Sequence, residues 1–207
     1  MKILSIDTTN KNIIVLLQEN NKIIDSIIIE NTTNQAEELL IDIEKILNNN
    51  NIWYKNIDAF SVVNGPGSFT GLKVSIAVIK AIKSILQNTP IIVNNIFEII
   101  SYNRDFDFII LNADINGCYI CDKNYKMEYM KNDKITLLLN EENLKSKKII
   151  TNKKNLMDSF NLGNYIIEYN NTDVNNIALL NSYKFKNNLF TVDIIPLYMR
   201  EPQINKK

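Results

Sequence analysis

The stretch Gly65-Pro66-Gly67-Ser68-Phe69-Thr70-Gly71 holds three of the chain's five glycines. An apolar run, Ile57 to Val63, leads into it, and a long helical pattern, Leu72 to Leu86, leads out. Glycine serves where the backbone takes positive φ or comes close to another group. A chain so sparing with glycine has concentrated it at one strand-to-helix corner. Such a corner can cradle an anion at a helix N-terminus, or it can be a tight turn that docks the helix on a sheet. The residues alone leave both readings open. The string is not a Walker loop, because no Gly-Lys-Ser/Thr follows. It also misses the dinucleotide fingerprint, since its third glycine is one residue late and the loop follows the fourth strand.

Upstream of the corner, Lys2–Ile6, Ile13–Leu17 and Ile23–Ile29 are short apolar runs separated by polar turns, which predicts an antiparallel meander. A helix follows, with Asn34 as cap and Glu37 placed for a capping box. Its apolar stripe is Ala36, Leu39, Leu40, Ile43, Ile46 and Leu47. The nearly continuous apolar run Ile57–Val63 fits a buried, parallel strand. Downstream, Ser68 or Thr70 can cap the next helix, which carries two apolar arcs. One is Leu72, Ile76, Ile79, Ile82 and Leu86; the other is Val74, Val78, Ala81 and Ile85. A helix lying on a sheet needs one such arc, so the second must meet either the first helix or another protein. Pro90–Val93 reads as a strand, and Asn94 or Asn95 opens a helix through Ile100. After a break near Tyr102–Asp107 come strands at Phe106–Leu111, Gly117–Cys121 and Lys126–Met130 and a weak helix at Asn140–Lys145. Ile149–Thr151, Leu156–Phe160 and Tyr165–Tyr169 then read as strand, helix and strand. A helix at Val174–Phe185 follows, and Pro196 keeps the last segment extended. No repeat is visible in the letters, but both halves share a strands-then-helix rhythm. The expected lobes are 1–103 and 104–207, with a tail that can cross back to the first.

Composition removes several chemistries. Lys and Arg total 23, as do Asp and Glu, so there is no broad basic footprint for nucleic acid. The chain has no histidine, which excludes histidine bases, nucleophiles and metal ligands. Cys118 and Cys121 form a C-x-x-C, a spacing used in redox sites. They fall on a predicted strand, where residues three apart point to opposite faces, so they are expected to be two separate buried thiols. The N-terminal apolar run is too short for a signal peptide, and no run approaches the ~18 apolar residues of a membrane span. A soluble, cytoplasmic protein is expected.

The full string Gly65-Pro66-Gly67-Ser68-Phe69-Thr70-Gly71-Leu72-Lys73 resembles the signature of the bacterial TsaB (YeaZ) family, which usually has Arg where Lys73 stands. Ile3-Leu4-Ser5-Ile6-Asp7-Thr8-Thr9 is similar to that family's first strand and phosphate-type turn. Pro196-Leu197-Tyr198-Met199-Arg200 is similar to its P-x-Y-x-R, and Asn112-Ala113 through Tyr119 to its D-A-R-x-x-x-x-Y stretch. The chain departs from the pattern at Gln35-Ala36-Glu37, where the family often has His-Ser-Glu, and at Asn112 and Asp114.

The resemblance implies an α/β fold of the two-lobed actin/hexokinase/Hsp70-like ATPase class, with ribonuclease H-like lobes and a reduced second lobe. It implies a non-catalytic subunit of the complex that forms threonylcarbamoyladenosine next to the anticodon of tRNA. The implied partners are the paralogous catalytic subunit TsaD, in a heterodimer, and the small ATPase TsaE. Self-pairing through the same helices is also implied, and tRNA is met only through the complex. No cofactor is expected to bind the lone chain tightly; ATP and Mg²⁺ act at the level of the complex, and no metal site is expected here. The interface is expected to use Gln35, Leu39, Ile43, Phe69, Val74, Val78, Ala81 and Ile85. Asp7, Thr8 and Thr9 are the candidates for a residual nucleotide contact, Asp7 through Mg²⁺-bound water, with an Asp7 side-chain cap on its own turn as the structural alternative. Tyr198 and Arg200 are expected to pack and pair, and Lys73 to sit on a solvated helix face. Two other readings compete. One is a stand-alone ATPase or small-molecule kinase of the same fold. The other is a metallopeptidase, which the absence of histidine disfavours.

Overall fold

The computed structural model describes residues 1–140, 148–152, 166–168 and 173–200. The expected helices at Asn140–Lys145 and Leu156–Phe160 lie outside the described residues, apart from Asn140. The chain divides into two units. One comprises Met1–Ile99 and Thr172–Tyr198, the other Ile100–Asn171 and Met199–Lys207.

The first unit is built on a five-stranded sheet of β1 (Lys2–Asp7), β2 (Ile13–Glu19), β3 (Lys22–Ile29), β4 (Ala59–Val63) and β5 (Ile91–Asn94), in the order β3-β2-β1-β4-β5. The meander β1-β2-β3 is antiparallel, while β4 runs parallel to both β1 and β5. All five residues of β4 are buried, as its apolar run predicted. Helices α1 (Gln35–Asn49) and α2 (Phe69–Ile85) cover one face. Leu4, Ile6, Val15, Leu17, Phe60 and Val62 from the sheet meet Leu39, Ile43, Ile46, Ile76 and Ile79 there. Period-2 alternation puts Ile3 and Ser5 of β1 on the other face.

The second unit's sheet joins β6 (Phe108–Asn112), β7 (Gly117–Asp122), β8 (Met127–Lys131), β9 (Ile149–Thr151) and β10 (Ile166–Glu168). Its order is β8-β7-β6-β9-β10, antiparallel over the first three and parallel over the last three. Each sheet therefore has the order 3-2-1-4-5 when its strands are counted from its own first. The shared rhythm of the two halves is a repeat of topology that the letters do not display. A helix the sequence reading did not include, α4, is Asn132–Asn140, and its Ile135 is buried against Ile110, Cys118 and Ile120.

The boundary between units falls inside the short helix α3 (Ile96–Ser101), not at 103/104. Asn95 and Glu98 form a reciprocal capping box there: the Glu98 amide donates to Asn95 Oδ1 and the Asn95 amide to Glu98 Oε2, both at 2.9 Å. The box expected at α1 does not form. The Asn34 amide donates to Thr32 Oγ1, and Glu37 accepts from the Asn34 side chain.

The larger difference concerns α5 (Val174–Lys186), which was expected in the second lobe and belongs to the first unit. A polar residue holds it there. Asn181 is fully buried; its Nδ2 donates to Ser5 Oγ at 2.8 Å and Gln18 Oε1 at 3.1 Å, and its Oδ1 accepts from Ser61 Oγ and Asn94 Nδ2 at 2.8 and 2.7 Å. Gln18 in turn donates to the Ala178 carbonyl and to Ser182. One amide thus engages four strands. Buried polar groups are costly when unpaired and specify geometry when fully paired. Replacing Asn181 with Leu strands four buried partners at once, so an expected loss of about 2–4 kcal/mol in urea unfolding follows. A loss under about 1 kcal/mol would show that the network does not hold α5.

Candidate functional site

The glycine corner and the turn after β1 form one structure. Asp7 Oδ1 accepts from the Thr9 amide at 2.8 Å and from Thr9 Oγ1 at 2.7 Å, the Asx-type closure that short polar residues make at turns. Thr8 Oγ1 donates to the Gly71 carbonyl at 2.7 Å, and the Ser68 amide donates to the Thr9 carbonyl at 2.5 Å. Thr8 and Thr9 are fully buried, and Asp7 is 5% exposed. Burial raises the Asp7 carboxyl above its ordinary value, against the lowering effect of its two bonds from Thr9. The expected nucleotide contacts are therefore occupied within the chain.

The glycines explain why the two segments come so close. A Cβ at Gly67 would lie 2.2 Å from the Thr9 carbonyl oxygen, and one at Gly71 would lie 1.9 Å from that of Thr8. Gly65 has φ +123°, and a Cβ there would meet the Leu197 carbonyl at 2.8 Å. Each glycine admits a neighbouring backbone. Pro66 is joined to Gly65 by a cis peptide bond. Ser68 caps α2, accepting from the Gly71 amide at 3.3 Å; Thr70 is exposed and does not. Of the two readings of the corner, docking is the one the geometry fills.

The P-x-Y-x-R segment closes over the same corner. The Leu197 amide donates to the Asn64 carbonyl at 2.7 Å, and Asn64 Nδ2 donates to the Ile195 carbonyl at 2.9 Å. Tyr198 packs on Phe69 with ring centroids 4.8 Å apart. Lys73 is exposed on its helix face, as expected, and its ammonium lies 4.0 Å from the Phe69 ring centroid, a cation–π contact. Phe69, expected at a partner interface, is thus engaged by residues of its own chain. In the second unit Arg200 pairs with Asp114, which also accepts from the Gly117 amide at 3.0 Å and the Tyr129 hydroxyl at 3.3 Å.

The remaining interface candidates separate by burial. Leu39 and Ile43 have no exposed surface and lie in the core beneath α1, so they are not contact residues. Their stripe is the one the sheet demands. Gln35 bridges loops: its Nε2 donates to the carbonyls of Asn10 at 2.7 Å and Asn12 at 2.9 Å. Val74 and Val78 are half-buried and pack on the same core, whereas Ala81 is exposed and Ile85 is 81% exposed. Leu40 and Ile41 on α1 are exposed as well, at 49% and 63%. The stripe reading counted Leu40 as core, and Ile41 escaped it. At about 100° per residue Leu40 lies at the edge of that arc and Ile41 on the far side of the helix, which is the available signal.

Cys118 and Cys121 are buried thiols on β7. Burial, with the nearby Asp122 charge, pushes the Cys121 thiol up to about 11, away from the thiolate that redox exchange needs. Among the described residues no three His, Cys, Asp or Glu side chains converge as a metal site, and no helix is long and apolar enough to cross a membrane.

Comparison with known proteins agrees with this architecture. Two solved structures from Pseudomonas aeruginosa are similar over nearly the whole chain. One is an uncharacterized protein with similarity to peptidase YEAZ (TM-score 0.72, 15% identity, 96% of this chain and 99% of that one). The other is YeaZ (TM-score 0.70, 14% identity, 95% and 99%). No curated protein matches in sequence. The likeness to YeaZ first read from the signature string thus meets a YeaZ fold, with the two-lobed α/β organisation of the actin-like class. The model of one family, described as TsaD, tRNA N6-adenosine threonylcarbamoyltransferase, matches residues 22–156 of the 207. By that match, the chain belongs to the TsaD family of tRNA N6-adenosine threonylcarbamoyltransferases, and it carries that membership on the fold of YeaZ.

Proposed function

We propose that this chain is the TsaB-type member of that family: a non-catalytic subunit that binds and activates TsaD for transfer of threonylcarbamoyl to the adenosine beside the anticodon. The observation that carries the reading is the apolar surface left uncovered on α1 and α2, which pack side by side. Leu40, Ile41, Ala81 and Ile85 stand exposed there on two adjacent helices. Exposed apolar side chains on neighbouring helices are what an association would cover. Absence of histidine supports a non-catalytic role, because this sequence can supply no histidine base, nucleophile or metal ligand. The filled glycine corner supports the same view. TsaE, ATP and Mg²⁺ would enter through the complex, tRNA would be met there, and the cytoplasm is the matching compartment.

The stand-alone ATPase reading draws no support from the geometry, because the turn that would receive a phosphate is closed by Thr8 and Thr9.

Four measurements test the proposal. Co-expression with the same organism's TsaD, followed by size-exclusion chromatography with mass determination, should give a one-to-one complex; two separate peaks would overturn it. Ile85→Asp is the sharper variant than Val78→Asp, because Val78 also packs on the core. It should weaken the complex by about 3–5 kcal/mol, as an unpaired interface charge does, with an unchanged melting temperature. An intact complex would remove Ile85 from the interface. Gly71→Ala should cost about 2–4 kcal/mol of stability, since the Thr8 backbone must move. Calorimetry of the lone wild-type chain with Mg-ATP should show no binding. Tight ATP binding that Gly71→Ala abolishes without loss of stability would favour the kinase reading instead.

A further inference from the structure

We propose that the outer edge of β3 is a self-association site, at which two copies of this chain join their first-unit sheets antiparallel about a two-fold axis at Ser26. β3 ends the sheet order and pairs only with β2, so one side of its backbone has no strand partner among the described residues. It is eight residues long and contains five isoleucines. Such an edge is a template for pairing unless it is blunted. The other edges are treated differently. β5 is met by Thr191, whose amide donates to the Ile91 carbonyl at 2.9 Å. β8 has five residues and carries Glu128 and Lys131, and β10 has three residues.

The side chains of β3 indicate what covers it. Successive strand residues alternate between faces, and Lys22, Ile24, Ser26, Ile28 and Glu30 are the exposed set. Read along the strand, this face is cation, isoleucine, serine, isoleucine, anion. A second copy running antiparallel with Ser26 opposite Ser26 sets Ile24 against Ile28 and Lys22 against Glu30, twice each. Opposed apolar and opposite-charge pairs are the stabilising units of a sheet. The neighbouring same-face register, centred on Asp25, opposes two like charges. The register centred on Ile27 sets Ile24 against Glu30. Of the three, only the Ser26 register is self-complementary. Neither Lys22 nor Glu30 makes an ion pair among the described residues. Asp25, on the other face, accepts from Asn50 Nδ2 and from the Ser26 amide, both at 2.8 Å, and does not oppose its own copy; that exposed local bond of Ser26 is exchanged for the ladder bond when the two copies join. A bulge at Ile24, between the Leu17–Asp25 and Gln18–Ile23 pairs, turns the start of the strand. The shared ladder is therefore centred on residues 24–28, and the charged pairs close its two ends.

This site does not depend on the proposed role with TsaD, and it uses a strand edge, not the exposed residues of α1 and α2. The test is sedimentation velocity of four full-length forms: wild type, Lys22→Glu, Glu30→Lys and the double variant. Both residues are exposed, so folding should be retained, with circular dichroism as the check. Each single change turns two attractive pairs into two repulsive ones and should weaken dimerisation about tenfold. The double variant should restore it. Ser26→Cys, read by non-reducing electrophoresis after mild oxidation, should give a covalent dimer; the native cysteines are buried. A monomeric wild type, equal association in all four forms, or no cross-link at position 26 would overturn the assignment. Pairing through α1 and α2 is indifferent to these charges, so failure here leaves the proposed function untouched.

Discussion

The docking of the Gly65–Gly71 corner on the Asp7–Thr9 turn is the contact on which the first unit depends. It joins the end of β1 to the start of α2 through backbone atoms, with Thr8 donating to the Gly71 carbonyl and Ser68 donating to that of Thr9. Backbone contact at that range tolerates no Cβ at residues 67 or 71. The corner therefore sets where α2 enters, and α2 with α1 encloses the main core. The extended segment Ile195–Tyr198 then lies on the same corner. A loop with the composition of a phosphate cradle is used as a joint. The Ser68 amide and the glycines at 67 and 71 face the backbone of the Thr8–Thr9 turn.

On the opposite face of the same sheet the logic is polar. Ser5, Ser61 and Asn94 occupy inward positions where Val or Ile would have sufficed for packing, and Gln18 joins them. Asn181 answers all four from α5. Apolar packing alone is permissive of small shifts, whereas a fully paired amide has one arrangement. Lys184 adds a second polar tie, donating to the Val93 carbonyl and to Glu98. Ile3, Ala59 and Ile92 with Phe185 supply the apolar part. The first unit is thus completed by a helix that lies more than seventy residues beyond its last strand, β5.

These two joints leave the surfaces of α1 and α2 free of structural duty. Residues that hold the fold, such as Leu39, Ile43 and Ile76, are buried. Residues that do not, such as Ile41 and Ile85, remain apolar and exposed. That division makes the helix pair a reasonable place for a partner, since its contacts can change without disturbing the core.

The residues alone determined the elements: five strands and three helices in the first half, the position of the glycine corner between β4 and α2, and the burial of β4. They did so because period and glycine placement are local properties. The absence of histidine likewise restricted the chemistry without any structure. Three matters were decided only by tertiary structure. Leu39 and Ile85 are both apolar and both on helical arcs, and sequence cannot say which arc the sheet takes. The turn at Asp7–Thr9 reads the same whether it holds a nucleotide or a neighbouring loop; only the position of Gly71, sixty-odd residues away, shows that the loop is there. The unit to which Val174–Lys186 belongs depends on Asn181 meeting strands more than eighty residues distant, and no local pattern encodes a pairing across that separation.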